Sequence, residues 1–286
     1  MIFDMKRYKN YVFDLYGTLL DVRTDERSLK LWKIMKDFYN AYGCEWKKKR
    51  LRDAFFLYDA GERGKIRATK GIARPEIVIE RVFARLLFEG CPSHPCSLSI
   101  SGISINELRE RYKTDIDGVL TLVASSEWAV AVSNLFRTAS RDYVRPYKNT
   151  FSTLNTLREE GCKLYLLSNA QRSFTMPEIE MTGLNKALDK IYISSDYGIM
   201  KPEKEYLQTL IKEEGLNPAD TVMVGNEIES DIAIALRLGI HSIYLNTFNL
   251  SAKENDKRIR NLLKEESAPD DLYPHIVLSG DIIEIL

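Results

Sequence analysis

The sequence predicts an α/β protein: a Rossmann-like parallel sheet with helices on both faces, interrupted early by an all-helical cap. Three observations predict it. A short apolar, β-prone run at 11–15 ends around a carboxylate, Asp14, and breaks at once into a turn at Gly17. From residue 146 onward, short β-branched runs alternate with helical stretches, the rhythm of a parallel sheet. Between them, apolar residues recur at three- and four-residue steps. The expected division is a core of 1–21 and 144–286 with a helical cap of 22–143.

Composition is compatible with that class and excludes others. Of 286 residues, 44% are hydrophobic and 29% charged, ordinary for a chain that buries a sizeable core. Lys+Arg and Asp+Glu both number 41, so no overall field favours nucleic acid or an anionic membrane. The first ten residues carry no apolar signal-peptide core, and no run of 18 apolar residues occurs. Four cysteines (Cys44, Cys91, Cys96, Cys162) are too few for a disulfide scaffold and fit reduced thiols. These features lead us to expect a cytoplasmic protein, monomer or homodimer, with no nucleic-acid or membrane partner.

In chain order, the first strand places Asp14 at its C-terminal end, where open α/β sheets bind ligands. Gly17 lets the backbone bend close to a ligand, and Thr18 adds a hydroxyl. Helical stretches are then expected at 29–42 (Leu29, Trp32, Met35, Phe38, Tyr39, Tyr42), at 46–58, and from Pro75, a favoured first-turn residue. Two more are expected, at 105–123 and 127–141. The Trp32–Tyr42 aromatic face reads as packing rather than a substrate stripe. Cys91, His94 and Cys96 invite a zinc reading, but zinc fingers need four ligands and space them differently, so this proline-stiffened segment reads as a surface loop.

A helix at 150–160 stops at Gly161. The run 163–167 is a strand breaking at Ser168-Asn169, a short helix follows Pro177, and 191–193 is a strand. Lys201-Pro202 opens a helix at 203–214. The strand 222–224 ends at Gly225-Asn226, a helix spans 229–238, and 242–245 is a strand. The Lys/Glu-rich stretch 252–266 reads as a solvated helix or loop, and 276–278 and 282–286 as a last strand and turn. Because the helical module follows the first strand directly, it is expected to roof Asp14.

Four strand ends are then expected to point at one crevice: Asp14 to Thr18, Ser168-Asn169, Lys201, and Asn226 to Asp231. A carboxylate can attack phosphorus or carbon and form a covalent intermediate. Ser168 and Asn169 can hold the anionic end of a substrate, and Lys201 can neutralise developing charge and keep Asp14 ionised. Asp231 can steer Lys201 or support a cation. Read singly, each motif has a plainer account. Asp14 is a turn aspartate, Lys201 a helix-start surface lysine, and Ser168-Asn169 a helix cap. Asn226-Glu227 is a first-turn pair without metal. Their joint order is what favours the chemical reading.

Asp14-Leu15-Tyr16-Gly17-Thr18-Leu19, Leu166-Leu167-Ser168-Asn169, Lys201-Pro202 and Gly225-Asn226-Glu227-Ile228-Glu229-Ser230-Asp231 together resemble the four motifs of the haloacid dehalogenase-like superfamily of hydrolases. The resemblance implies that Asp14 is the nucleophile, with Tyr16, Thr18 and Lys201 as further catalytic residues. It implies Ser168 and Asn169 as substrate-binding residues, and Mg²⁺ held by Asp14, Tyr16, Asn226, Glu227 and Asp231. The substrate implied is a small anionic metabolite.

Two positions depart from the superfamily's phosphatases. Their general acid, two residues after the nucleophile, is Tyr16 here. Losing a positioned acid typically costs about 10²–10⁴-fold in rate. The metal-binding aspartate after Gly is Asn226, whose amide oxygen weakens a Mg²⁺ site without excluding it. The leading expectation is a Mg²⁺-dependent phosphomonoester phosphatase of reduced or unusual activity. The alternatives are a metal-free 2-haloacid dehalogenase, whose family members also carry Tyr at that position, and a non-catalytic ligand-binding protein. The dehalogenase calls for an early cap arginine, and Arg23, Arg27, Arg50 and Arg52 are not distinguished by sequence.

Overall fold

The computed structural model describes residues 7–90 and 96–286. Cys91 and His94 of the proline-rich loop lie outside the described residues; Cys96 is buried, exchanging hydrogen bonds with the Asn106 side chain. In order the elements are β1 (Asn10–Phe13), β2 (Leu20–Thr24), α1 (Leu29–Ala41), α2 (Lys48–Lys70) and α3 (Ile79–Glu89). Then come β3 (Ser99–Ile100), β4 (Ile103–Ser104), α4 (Ile105–Tyr112), α5 (Ile116–Ala124), α6 (Glu127–Ser140) and β5 (Arg141–Pro146). The chain continues through α7 (Thr150–Glu159), β6 (Lys163–Ser168), α8 (Arg172–Thr182), β7 (Lys190–Ile193), α9 (Ser194–Tyr197) and α10 (Lys204–Glu213). It ends with β8 (Thr221–Gly225), a π-helical turn Ile228–Ile232 leading into α11 (Ala233–Arg237), β9 (His241–Leu245), α12 (Ala252–Glu265) and β10 (His275–Val277).

Six parallel strands form one sheet in the order β10-β9-β8-β1-β6-β7. Strand residues alternate between its faces, as period-two geometry requires. Tyr11, Phe13, Leu164, Leu166, Val222 and Val224 pack with Leu154 and Leu157 of α7 and Ile179 of α8. Val12, Tyr165, Leu167 and Met223 pack with Leu207 and Leu210 of α10 and Ile234 of α11. Helices therefore cover both faces. The chain runs outward from β1 through β6 to β7, then returns to β8 on the other side, so the strand order reverses at β1. Such a switch point leaves a crevice beyond the C-terminal strand ends. Asp14, Ser168 and Gly225 stand at the ends of β1, β6 and β8.

The chain divides into two compact units. One is the α/β unit, comprising the described residues up to Val22, Ile72–Glu76 and Tyr143–Leu286; the other is Arg23–Gly71 with Ile77–Asp142. The second is all-helical apart from short strands, and its core is aromatic. The Trp32 ring lies 5.2 Å from Phe55 and 5.7 Å from Phe136, and Phe83 lies 5.3 Å from Phe136. The short segment Ile72–Glu76, between α2 and α3, belongs to the α/β unit.

Several elements differ from the sequence expectation for local reasons. Apolar spacing stops at Tyr58, yet α2 continues to Lys70, supported by the Asp59–Arg63 pair and closed by Gly71 at φ +67°. The stretch 105–123 is two helices, because Asp115 accepts a hydrogen bond from the Gly118 amide and starts α5 afresh. Pro75 opens no helix: it pairs in extended conformation with Ile199, and α3 begins four residues later. Pro177 lies inside α8 rather than at its start. No single helix among the described residues is long and apolar enough to cross a membrane.

Candidate active site

Lys201 carries the centre. Its side chain is 1% exposed, and its ammonium lies 2.6 Å from Asp14 Oδ1 and 2.8 Å from Asp231 Oδ1. It also donates to the Leu167 carbonyl at 2.7 Å. The residue does not stand at a strand end as expected but in the loop after α9. That loop is held by reciprocal bonds with Asn169: the Lys201 amide donates to Asn169 Oδ1 at 2.7 Å, and Asn169 Nδ2 donates to the Lys201 carbonyl at 3.1 Å. Asn169 thus orients the lysine loop, a task its motif alone does not reveal.

One cation between two buried carboxylates leaves the group a net negative charge. Burial pushes the Asp14 carboxyl up to about 7, against the pull of Lys201 and with a further push from Asp231. Burial also works to lower the Lys201 ammonium, but Asp14 and Asp231 outweigh it and hold it protonated, up to about 12. Asp14 Oδ2 faces away from Lys201 and accepts from the Thr18 hydroxyl at 3.4 Å. Ser168 is 1% exposed, and its hydroxyl has no partner among the described residues. Its carbonyl accepts from the Tyr206 hydroxyl at 3.1 Å. A buried hydroxyl left unpaired beside a carboxylate-lysine pair is suited to an anionic ligand.

The residues after β8 divide by role. Both oxygens of Asp231 are engaged, one by Lys201 and the other by the Glu227 amide at 3.0 Å. Asp231 thus pairs with the Lys201 ammonium and braces the turn after β8. The Asn226 amide nitrogen donates to Thr247 Oγ1 at 3.0 Å, and its oxygen accepts from Thr18 at 3.5 Å. Gly17 (φ +86°) is required here, since a Cβ would sit 2.1 Å from Asn226 Nδ2. Glu227 is exposed, yet partial desolvation of its carboxyl, and then the nearby Asp231, raise it above the usual carboxylate range against the pull of Lys201. Asp14 and Asn226 oxygens thus converge on one hydroxyl. One carboxylate oxygen and one amide oxygen are hard donors of the kind Mg²⁺ takes, an ion that completes its shell with waters and substrate oxygens. No cluster of three His, Cys, Asp or Glu side chains suited to a metal occurs among the described residues.

Tyr16 is the largest departure in detail. Its hydroxyl donates to Glu178 Oε2 at 2.5 Å and lies 3.2 Å from Thr175 Oγ1. Glu178 is itself buried within α8. The phenol proton is therefore committed to a carboxylate of the core. Glu178, Thr175, Thr247 and Tyr206 were not singled out by sequence, because nothing local marks a residue whose partner lies tens of positions away.

A family model described as hydrolase, haloacid dehalogenase-like hydrolase, matches residues 8–239. The chain is 30% identical over 118 residues to a glyceraldehyde 3-phosphate phosphatase of Methanothermobacter thermautotrophicus, covering 41% of this chain and 52% of that protein. It is 27% identical over 125 residues to the pyrimidine 5'-nucleotidase YjjG of Escherichia coli, covering 43% and 55%. The matched stretch spans about half the length of these curated relatives. Among solved structures, L-2-haloacid dehalogenase from Xanthobacter autotrophicus aligns over 96% of this chain and 95% of that one, with TM-score 0.48 at 15% identity. With a family match running from β1 through α11, the chain belongs to the haloacid dehalogenase-like hydrolases.

Proposed function

We propose that the chain hydrolyses a small phosphomonoester through a phosphoaspartate on Asp14. The observation that carries this reading is the division of labour on one carboxylate: Lys201 holds Oδ1 at 2.6 Å while Oδ2 faces the Thr18 hydroxyl. The named activities of the two curated relatives, on a sugar phosphate and on nucleotides, support phosphorus as the electrophile. Asp14 Oδ2 attacks phosphorus as the bond to the leaving oxygen breaks. Lys201 and the unpaired Ser168 hydroxyl meet the phosphoryl charge. Water then attacks phosphorus, releasing phosphate and restoring Asp14. Mg²⁺ held by Asp14, the Tyr16 carbonyl and Asn226 would supply further neutralisation of the phosphoryl oxygens.

Leaving-group protonation is where this chain differs. With the Tyr16 proton given to Glu178, no carboxylic acid stands at that position, so leaving groups of low pKa depart most readily. We expect p-nitrophenyl phosphate to be cleaved at least about 10²-fold faster than glycerol phosphate. Asp14→Asn should abolish both, and a chelator should suppress turnover until Mg²⁺ is restored. Equal rates for the two esters would contradict the account of Tyr16. A second reading is favoured by that same phenol: hydrolytic dehalogenation of a 2-haloacid, whose halide needs no proton. Halide release from 2-chloropropionate in chelator, with no ester cleavage, would establish it instead.

A further inference from the structure

Between α2 and α3 the chain contributes one short segment to the α/β unit, and that segment grips the loops of the active site. The Pro75–Ile199 bridge is flanked by two backbone bonds: Met200 donates to the Arg74 carbonyl at 3.0 Å, and the Glu76 amide donates to the Gly198 carbonyl at 3.1 Å. The Arg74 amide donates to Glu203 Oε1 at 2.9 Å. The loop so held, 198–203, carries Lys201. The Glu76 side chain, 4% exposed, reaches the other loop. Its Oε1 accepts from Gln171 Nε2 at 2.9 Å, and its Oε2 accepts from the Ser194 hydroxyl at 2.9 Å. Ser194 Oγ in turn accepts from the Ala170 amide at 2.8 Å.

Ala170 and Gln171 continue directly from Ser168, the proposed anion-binding residue, and from Asn169, which holds the lysine loop. A buried carboxylate is costly unless its oxygens are satisfied, and here they are satisfied by two separate segments. We propose that Glu76 is a positioning residue that holds the 168–171 loop in register with Lys201, so that the Ser168 hydroxyl and the ammonium meet the same anion. It acts through hydrogen bonds rather than charge. In Glu76→Gln the amide oxygen can still accept from Gln171 while the amide nitrogen donates to Ser194 Oγ, whose own proton turns to the Ala170 carbonyl at 3.1 Å. In Glu76→Ala both tethers are lost.

Two measurements on the full chain test this, and only the second rests on the phosphatase reading. In hydrogen exchange, Glu76→Ala should accelerate peptides covering 168–172 and 198–203 by about tenfold, the scale of a buried bond left unmade. Peptides from β9 and α12 should stay unchanged. In calorimetry with inorganic phosphate as probe, Glu76→Ala should weaken binding by about tenfold, with Glu76→Gln within about twofold of the parent in both measurements. Exchange within about twofold of the parent for Glu76→Ala, or acceleration spread evenly over the unit, would overturn the proposal. So would Glu76→Gln behaving like Glu76→Ala. A parent that binds no phosphate counts against the phosphatase reading alone, and the exchange comparison still decides the role of Glu76. Should Glu76→Ala not fold, Gln171→Ala removes one tether; a smaller acceleration confined to the two loops is then expected, and none would overturn the proposal.

Discussion

Removing the Lys201 ammonium would leave Asp14 and Asp231 as two buried carboxylates with no cation between them. Breaking a buried ion pair on one side typically costs about 3–5 kcal/mol, because the remaining charge is left uncompensated. Lys201→Met should therefore lower unfolding free energy in urea by that order, and adding Asp231→Asn should recover part of it. A loss below about 1 kcal/mol, the scale of an exposed pair, would show the site to be more solvated than its geometry indicates. Asp14 gives a second test through pH. Its carboxyl is raised in the folded protein, by burial first, from 3.8 to about 7. As pH climbs from the lower value to the higher, the unfolded chain ionises first, so this group's contribution to folding stability falls across that window and levels off above it. Asp14→Asn has no such loss. Its melting-temperature gain over the parent should be small near pH 5 and larger at pH 8; an equal gain at both would contradict the shift. Activity, which needs the carboxylate of the folded enzyme, should rise with pH around 7, the upper end of that window.

At the scale of elements, two glycines fix how closely the strand ends approach. A Cβ at Gly225 would lie 2.2 Å from Asp231 Oδ2. Gly225→Ala should push Asp231 off Lys201 and reduce turnover with little change in the distant α12. Gly17→Ala faces both a positive φ and Asn226; the φ alone costs about 1–2 kcal/mol, so thermal melting should show at least that loss. Much of this arrangement was legible in the sequence. Asp14 at the end of an apolar run and Ser168-Asn169 announce themselves by residue type and strand-end position, Lys201 and Asp231 by residue type alone, and the structure brings them together. Other features were hidden because they depend on partners far along the chain. Glu76 looks like the first turn of a helix after Pro75, whereas it is the buried end of a β-bridge. Glu178 looks like an ordinary helix glutamate until Tyr16 is seen against it.

At the scale of the whole molecule, two cores form separately: one on the two faces of the sheet, one among the aromatic rings of the helical unit. Phe136 is fully buried in the second. Phe136→Ala should cost about 3–5 kcal/mol, with exchange accelerating in 23–71 and 77–142 more than in the six strands. Equal acceleration of the sheet would mean the two units unfold as one. The segment Ile72–Glu76 is covalently part of the helical insertion yet structurally part of the sheet unit. The first strand, the insertion and the later strands thus all contribute to setting one lysine beside one aspartate.

The central claim is that Asp14 becomes covalently bonded to the substrate. Acid-quenching the enzyme during turnover of p-nitrophenyl phosphate, followed by peptide mapping in a mass spectrometer, tests it most directly. The account predicts a phosphoryl adduct on the peptide containing Asp14, absent in Asp14→Asn. Turnover that proceeds in Asp14→Asn, or an adduct on another residue, would contradict it.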